Sequence, residues 1–151
     1  MTTRQTDAQA GPKTGQVGEE LLYEVRGPVG LITFNRPQAR NALTFNMYDK
    51  LAEICGGIER GGPIRALVVT GAGGKAFAAG TDISQFRVFE TPEQGLQYEA
   101  DATARSAIIA ACPVPLIAAI AGACTGGGAG IAANCDIRLG TRDMRFGFPI
   151  A

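Results

Sequence analysis

The sequence contains no histidine and no tryptophan, and the lack of histidine narrows the chemistry that its 151 residues can supply. Without an imidazole, the chain offers no Ser-His-Asp or Cys-His nucleophile and no histidine-ligated zinc. The four cysteines, Cys55, Cys112, Cys124 and Cys135, form no CxxC pair. We therefore predict small buried thiols in a reducing compartment, and we expect neither a disulfide framework nor a metal site.

An excess of charge is also missing, because 14 Lys and Arg residues balance 14 Asp and Glu residues. A neutral chain without a basic run lacks the electrostatic footprint of a nucleic-acid or membrane-surface protein. The longest apolar run, CPVPLIAAIAGAC (112–124), is too short for a bilayer span and contains two prolines. Residues 1–20 lack the apolar core of a secretory signal. We expect no nucleic-acid partner, no membrane partner and a cytoplasmic location.

The chain does contain alternating strand and helix patterns, which predict an α/β protein with mostly parallel pairing. Residues 1–20 are polar and predict a flexible tail, so we assign the folded core to 21–151. The end of the chain, MRFGFPIA (144–151), is apolar, and we expect further chain or a partner subunit to cover it. The predicted elements are a hairpin over 21–35, a helix capped by Thr44, a buried strand over 64–71, a loop over 72–82, a short helix over 82–88, a helix from Thr91 to about Ala111, a strand over 116–122, a helix to about Asn134 and a strand over 135–141.

Two glycine-rich turns follow predicted strands, in VVTGAGGKAFAAGTDI and IAAIAGACTGGGAGIA. If they lie side by side, each directs a backbone N–H to one spot, which is the arrangement of an oxyanion hole. Tight helix–strand packing explains the small residues equally well. The second turn also contains Gly128-x-Gly130-x-x-Ala133, a formal dinucleotide fingerprint. It is weak, because the helix is short and no acidic residue follows at about 20 positions.

Four ordered motifs, ITFNRPQARNAL, KAFAAGTDI, PLIAAIAGACTGGG and CDIRLGTRDMRFGFP, resemble the enoyl-CoA hydratase/isomerase (crotonase) family over about 21–151. The resemblance implies a crotonase-like spiral of ββα units. Members of this kind continue into a C-terminal helical region that mediates trimer formation. We therefore expect this chain to correspond to their N-terminal part, and the full-length protein to form a homotrimer or a dimer of trimers.

The resemblance also implies site residues, carried over motif by motif. The two amides of the oxyanion hole would be those of Thr81 and Gly127, which would stabilise a thioester enolate. The acyl-CoA thioester and pantetheine would contact Thr81, Asp82, Ile83 and Ser84, and the loop at Ala39 and Arg40 would lie near the adenine end. No cofactor is implied, since acyl-CoA is the substrate.

The sequence departs from the family at both catalytic carboxylates. The positions that hold glutamate in the family hold Gly130 and Ile150 here. We expect Tyr48 and Tyr98 to be core residues, with a catalytic phenol as the less favoured alternative. The leading interpretation is an acyl-CoA-processing protein of the enoyl-CoA hydratase type. The alternatives are an acyl-CoA-binding paralogue without hydratase activity and, more remotely, a nicotinamide-dependent oxidoreductase.

Overall fold

The computed structural model describes residues 19–149. Residues 1–18 of the predicted flexible tail lie outside this range, as does Ile150. The last two residues of the tail segment, Glu19 and Glu20, lie within it. The carboxylate of Glu20 contacts two parts of the core. It accepts a hydrogen bond from Thr44 Oγ1 at 2.6 Å and forms an ion pair with Arg36 Nε at 3.3 Å.

The described part of the chain forms three successive ββα units followed by two more strands, and the resemblance implied such a repeat of ββα units. The strands are β1 (Leu21–Arg26), β2 (Val29–Phe34), β3 (Ala66–Gly71), β4 (Ala76–Ala78), β5 (Leu116–Ile120), β6 (Ala123–Thr125), β7 (Ile137–Gly140) and β8 (Arg145–Gly147). The helices are α1 (Phe45–Gly56), α2 (Pro92–Ala110) and α3 (Gly127–Asn134), and short 3-10 segments cover Pro37–Ala39 and Ile83–Val88.

The strands divide into a large and a small sheet, which together define the spiral. The five-stranded sheet has the order β1-β2-β3-β5-β7, and the three-stranded sheet has the order β4-β6-β8. Among the strands of residues 19–149, only the β1–β2 hairpin pairs antiparallel, and the other pairs in both sheets are parallel. From β3 onward, each unit adds one strand to each sheet, so the same step is repeated along the spiral axis.

Helix boundaries follow the capping residues that the sequence predicted. Thr44 begins α1, because its Oγ1 accepts the Met47 amide at 3.3 Å. Pro92 occupies the first turn of α2, and the Gln94 side chain accepts the Thr91 amide at 3.1 Å. Helix α1 buries Met47, Leu51 and Cys55 completely, in the same core cluster as apolar residues of the five-stranded sheet.

Three strands were not predicted. Residues 76–78 were assigned to a loop and 123–125 to a turn, but they form β4 and β6, and 145–147 form β8. Three residues are too few to show an alternating pattern, and β4 and β6 consist largely of small residues. The predicted strand 116–122 in fact ends at Ile120, since Gly122 has a φ of 66° and redirects the chain into β6.

A buried asparagine ties the loop before α1 to the small sheet. Asn41 is fully buried with a φ of 55°. Its Nδ2 donates to the carbonyls of Ala72 at 2.9 Å and Ala76 at 2.8 Å, and its Oδ1 accepts the Arg36 amide at 2.9 Å. Leaving such a buried group unpaired costs about 1–3 kcal/mol, so this side chain fixes the loop against β4.

Three of the four cysteines have the burial that the sequence predicted. Cys55, Cys124 and Cys135 are buried and Cys112 is half-buried, and all four are free thiols. Burial raises the pKa of Cys124 to about 11 and that of Cys135 to about 12. Both groups are therefore neutral core side chains at ordinary pH.

Large apolar side chains are exposed in two places, at the β7–β8 end in Leu139, Phe146 and Phe148, and over residues 83–96 in Ile83, Val88 and Leu96. The expectation that something covers the β7–β8 end stays a prediction. Over residues 19–149, none of the helices combines the length and apolar character needed to cross a bilayer.

Candidate active site

Two glycine-containing turns lie side by side at one edge of the small sheet. Strands β4 and β6 are parallel, with Ala76 opposite Ala123 and Ala78 opposite Cys124. Because carboxyl ends of parallel strands meet at the same edge, the turns that follow them are neighbours. A Cβ on Gly126 would lie 3.5 Å from Gly80 Cα. Gly80 has a φ of 113° and Gly126 a φ of 52°, conformations that favour glycine.

The amide of Thr81 faces away from the strand-like bridge that holds it. Leu43 pairs with Thr81 in a parallel bridge, in which the Leu43 amide donates to Gly80 O and the Asp82 amide donates to Leu43 O, both at 2.8 Å. On the Thr81 side of this bridge, the hydrogen bonds are made by the two flanking residues, Gly80 and Asp82, and not by Thr81 itself. The amide of Thr81 therefore points to the other side, and among residues 19–149 it has no hydrogen-bond acceptor.

Gly127 supplies the second unpaired amide. It is the first residue of α3, where a helix leaves its N–H groups without intrahelical partners, and no acceptor within the described chain takes its amide hydrogen. A Cβ built on Gly127 would lie 3.4 Å from Thr81 N and 2.7 Å from Thr81 Oγ1. The structure thus brings the two predicted catalytic residues together, although their role stays a prediction.

Both residues line a cavity of about 380 Å³ between α1, α2 and α3. The nine other lining residues were not among the predicted site residues. They are Tyr48, Tyr98, Ala102, Arg105, Ser106, Ile109, Gly130, Ile131 and Asn134. The lining residues of α2 could have been grouped from the sequence, since positions 98, 102, 105 and 109 lie on one face of a helix. The sequence did not indicate what that face meets.

Tyr48 is directly beside the paired turns. Its hydroxyl is 2.8 Å from Thr81 Oγ1, and either oxygen can be the donor. A Cβ on Gly127 would overlap the Tyr48 hydroxyl, which gives one reason why residue 127 is a glycine. Burial raises the pKa of Tyr48 above its ordinary value, and the hydrogen bond with Thr81 offsets part of that shift. Its phenol is therefore protonated at neutral pH.

Polar side chains that line the cavity form hydrogen bonds between neighbouring helices. Arg105 Nε donates to the Asp49 carboxylate of α1 at 2.6 Å, and Asn134 Nδ2 of α3 donates to Ser106 Oγ at 2.8 Å. Arg105 is the one charged side chain among the cavity-lining residues of the described chain. No carboxylate lines this cavity within residues 19–149.

The family resemblance implies a glutamate at two positions, and of these the structure describes Gly130. It lies one turn into α3, and a Cβ there would meet no atom within 4 Å. Since Gly130 also lines the cavity, the backbone leaves open space for a side chain at this point.

The other predicted substrate contacts divide between two places. Asp82 caps the 3-10 segment after Thr81, and Ile83 and Ser84 are exposed beside it. Ala39 ends the 3-10 turn of the loop before α1, and Arg40 lines a second cavity of about 430 Å³. That cavity opens at the amino ends of β4, β6 and β8, opposite the end that carries Thr81 and Gly127.

Asp82 links the Thr81 turn to the loop before α1. Its carboxylate accepts Ser84 Oγ at 2.7 Å, Ser84 N at 3.1 Å and Arg36 Nη2 at 2.9 Å. Arg36 in turn donates to the carbonyl of Ala42. The hydrogen bonds from Ser84 and Arg36 hold the pKa of Asp82 below its ordinary value.

Asp82→Asn should therefore lower the free energy of unfolding at neutral pH, by about 1 kcal/mol for a partly exposed ion pair. A carboxylate with a depressed folded-state pKa stabilises the fold above its unfolded value of about 3.9 and loses that contribution as pH falls through the folded value. Urea unfolding should show the two proteins differing at pH 7 and converging below about pH 4. Glu59→Gln, at an exposed carboxylate, is the control; a constant difference at all pH values would contradict the assignment.

The formal dinucleotide fingerprint has a packing explanation at its first glycine. A Cβ on Gly128 would overlap the carbonyl oxygen of Ala78, because α3 crosses closely over β4. Gly128 is thus required by contact between protein elements, whereas Gly130 is not.

Comparison with known proteins gives a consistent set of similarities. Residues 29–150 match the family described as Enoyl-CoA hydratase/isomerase. The chain is 36% identical to the short-chain-enoyl-CoA hydratase of Clostridium acetobutylicum, over 85% of this chain and 49% of that protein. It is 34% identical to the mitochondrial 3-hydroxyisobutyryl-CoA hydrolase of Homo sapiens, over 91% of this chain and 36% of that protein.

Solved structures agree with the sequence similarities. The crystal structure of an enoyl-CoA hydratase/carnithine racemase from Magnetospirillum magneticum superposes with a TM-score of 0.79 at 38% identity, covering 87% of this chain and 50% of that chain. The crotonase-like fold expected from the motifs is confirmed. The chain spans about half the length of the curated relatives that it matches.

Proposed function

Because the chain belongs to the enoyl-CoA hydratase/isomerase family, we propose that it processes acyl-CoA thioesters by stabilising a thioester enolate with two backbone amides. The observation that carries the proposal is the pair of unpaired amides, those of Thr81 and Gly127, on one cavity. The relatives' names support the substrate class. One is named as a hydratase and another as a hydrolase, and the chemical group common to both names is a CoA ester.

In the proposed mechanism the thioester oxygen lies between the two amides, and both N–H groups donate to it. Charge on this oxygen increases as the enolate forms, so the hydrogen bonds strengthen in the transition state. In a site that excludes water, each such donor is worth about 3–4 kcal/mol. Backbone donors require no particular side chain, and the partial positive charge at the start of α3 adds to the effect.

Hydration of an enoyl thioester is the leading reaction in this proposal. Hydration needs groups that move protons to water and carbon, and Gly130 supplies none. That same bare position favours a second candidate, an acyl-CoA-binding protein in which the hole holds the thioester without turnover. Isomerisation, decarboxylation and thioester hydrolysis use the same oxyanion stabilisation.

Binding and turnover measured on the same preparation test the proposal. Calorimetric titration with butyryl-CoA, with free CoA and with NAD, beside a crotonyl-CoA hydration assay, separates the candidates. We expect the thioester to bind more tightly than free CoA, because only the thioester has an oxygen for the two amides. Turnover identifies the enzyme, and thioester binding without turnover identifies the binding protein. NAD binding alone, or equal affinity for thioester and free CoA, would contradict the proposal.

Two further proposals concern the full-length protein. We propose that it assembles as a homotrimer or a dimer of trimers, and that it acts in the cytoplasm. A mass measurement in solution tests the assembly.

A further inference from the structure

The amides of Thr81 and Gly127 do not stand alone, because a phenol hydroxyl lies between the residues that carry them. The position that a Cβ would take on Gly127 is bordered by Thr81 N at 3.4 Å, by Thr81 Oγ1 at 2.7 Å and by the Tyr48 hydroxyl. A ligand oxygen that accepts both amides lies about 2.9 Å from Thr81 N, and Thr81 N borders this region. The Tyr48 hydroxyl is therefore within the reach of such an oxygen.

The Tyr48 hydroxyl can donate to a ligand without giving up its partner in the protein. It is 2.8 Å from Thr81 Oγ1, and a threonine hydroxyl can donate to the phenol oxygen as well as accept from it. When Thr81 donates, the phenol hydrogen is free for a third atom. Burial keeps this phenol protonated at neutral pH, so it is a donor there and does not repel an oxyanion.

The backbone around Tyr48 holds the hydroxyl in register with the two amides. Tyr48 lies in the first turn of α1, which Thr44 caps. The residue before that cap, Leu43, forms the bridge to Thr81. The phenol and the Thr81 amide are thus fixed to each other through the six residues from Leu43 to Tyr48 and the two hydrogen bonds of the bridge.

We propose that the Tyr48 hydroxyl is a third hydrogen-bond donor to the thioester oxygen, beside the amides of Thr81 and Gly127. The inference rests on the proposed function, since it requires a thioester in this cavity. A third donor directed at the same oxygen lowers the energy of the enolate more than that of the thioester. It also gives Tyr48 a function that its helical spacing, which predicted a core residue, did not indicate.

The test compares the wild-type protein with Tyr48→Phe, which removes one oxygen and keeps the ring that packs in the cavity. In the wild type we expect kcat for crotonyl-CoA to exceed that of the variant by about 100-fold, with KM changed far less. Tyr23→Phe is the matched control. Tyr23 is buried in the core away from the cavity, and its hydroxyl has no partner among the described residues.

A second readout does not depend on turnover. The infrared carbonyl stretch of bound butyryl-CoA, carrying a 13C label at the thioester carbon, reports the hydrogen bonds to its oxygen. We expect this band to move to higher frequency in Tyr48→Phe and to stay in place in Tyr23→Phe. A merely structural role for Tyr48 would not move it.

The outcomes distinguish a failure of the third donor from a failure of the proposed function. A wild-type protein that binds the thioester but shows the same band and the same kcat after Tyr48→Phe would overturn the third donor and leave the proposed function intact. A wild-type protein that binds no thioester would overturn both. A shifted band with unchanged affinity for free CoA would support the third donor.

Discussion

Gly127→Val should abolish binding of acyl-CoA thioesters. A Cβ at this position would overlap the Tyr48 hydroxyl and lie 2.7 Å from Thr81 Oγ1, so a β-branched side chain displaces the groups that surround the proposed oxyanion. Overpacking of this kind costs about 1–3 kcal/mol, and the ligand also loses its place between the amides. We expect a calorimetric affinity for butyryl-CoA at least about 100-fold weaker than that of the wild type.

Gly95→Val is the matched control for this change. Gly95 lies in the first turn of α2, and a Cβ there would meet nothing within 4 Å. The control should bind as the wild type does. Circular dichroism should show that Gly127→Val keeps its secondary structure, because the nearest atoms to an added Cβ belong to Tyr48 and Thr81 and not to a strand of the five-stranded sheet. Unchanged affinity in a folded Gly127→Val protein would exclude the oxyanion assignment.

The long elements of the fold were predictable from the sequence because their signals are local. Helix α2 combines Thr91, Pro92 and Gln94 in a capping pattern that acts within one turn, and the structure begins the helix there. The β1–β2 hairpin has its turn at Gly27, with a φ of 57°. In both cases the residues that fix the element lie within it, so periodicity and turn chemistry were sufficient.

The small sheet was not predictable in the same way. Its strands are three residues long, and each is stabilised by neighbours that are distant in sequence: β4 pairs with β6, about 45 residues further along the chain, and Asn41 holds the carbonyl of Ala76. No local pattern encodes such a strand. The family resemblance paired the amides of Thr81 and Gly127, whereas residue patterns alone left tight packing as an equal explanation.

The cavity residues were missed for a related reason. A helix face with Ala102, Ser106 and Ile109 is as compatible with ordinary packing as with a site. Only the tertiary arrangement of α1, α2 and α3 leaves a cavity between them. Tyr48 is the clearest example, because its helical spacing predicts a buried side chain whether that side chain packs in the core or lines a site.

Gly130→Glu should raise the hydration of crotonyl-CoA. The backbone of α3 leaves this position open, with no atom within 4 Å of an added Cβ, and the position lines the cavity. A carboxylate introduced here would supply a group that accepts a proton from water, in a cavity where the described residues provide none. General acid–base catalysis of this kind contributes about 10²–10⁴-fold, so an increase on the order of 100-fold is expected if a single carboxylate is sufficient.

Gly130→Gln separates the chemistry of this carboxylate from its size. The amide side chain fills the same space but accepts no proton at neutral pH, so it should leave hydration at the wild-type rate. Arg105 lines the same cavity, and its positive charge favours the ionised form of an introduced carboxylate. The gained activity should therefore persist to mildly acidic pH and fall only as the carboxylate is protonated. Equal rates in the two variants would show that a base at position 130 does not limit the reaction. Hydration in this cavity would then depend on proton-transfer groups other than a carboxylate at position 130, where the family has its first glutamate.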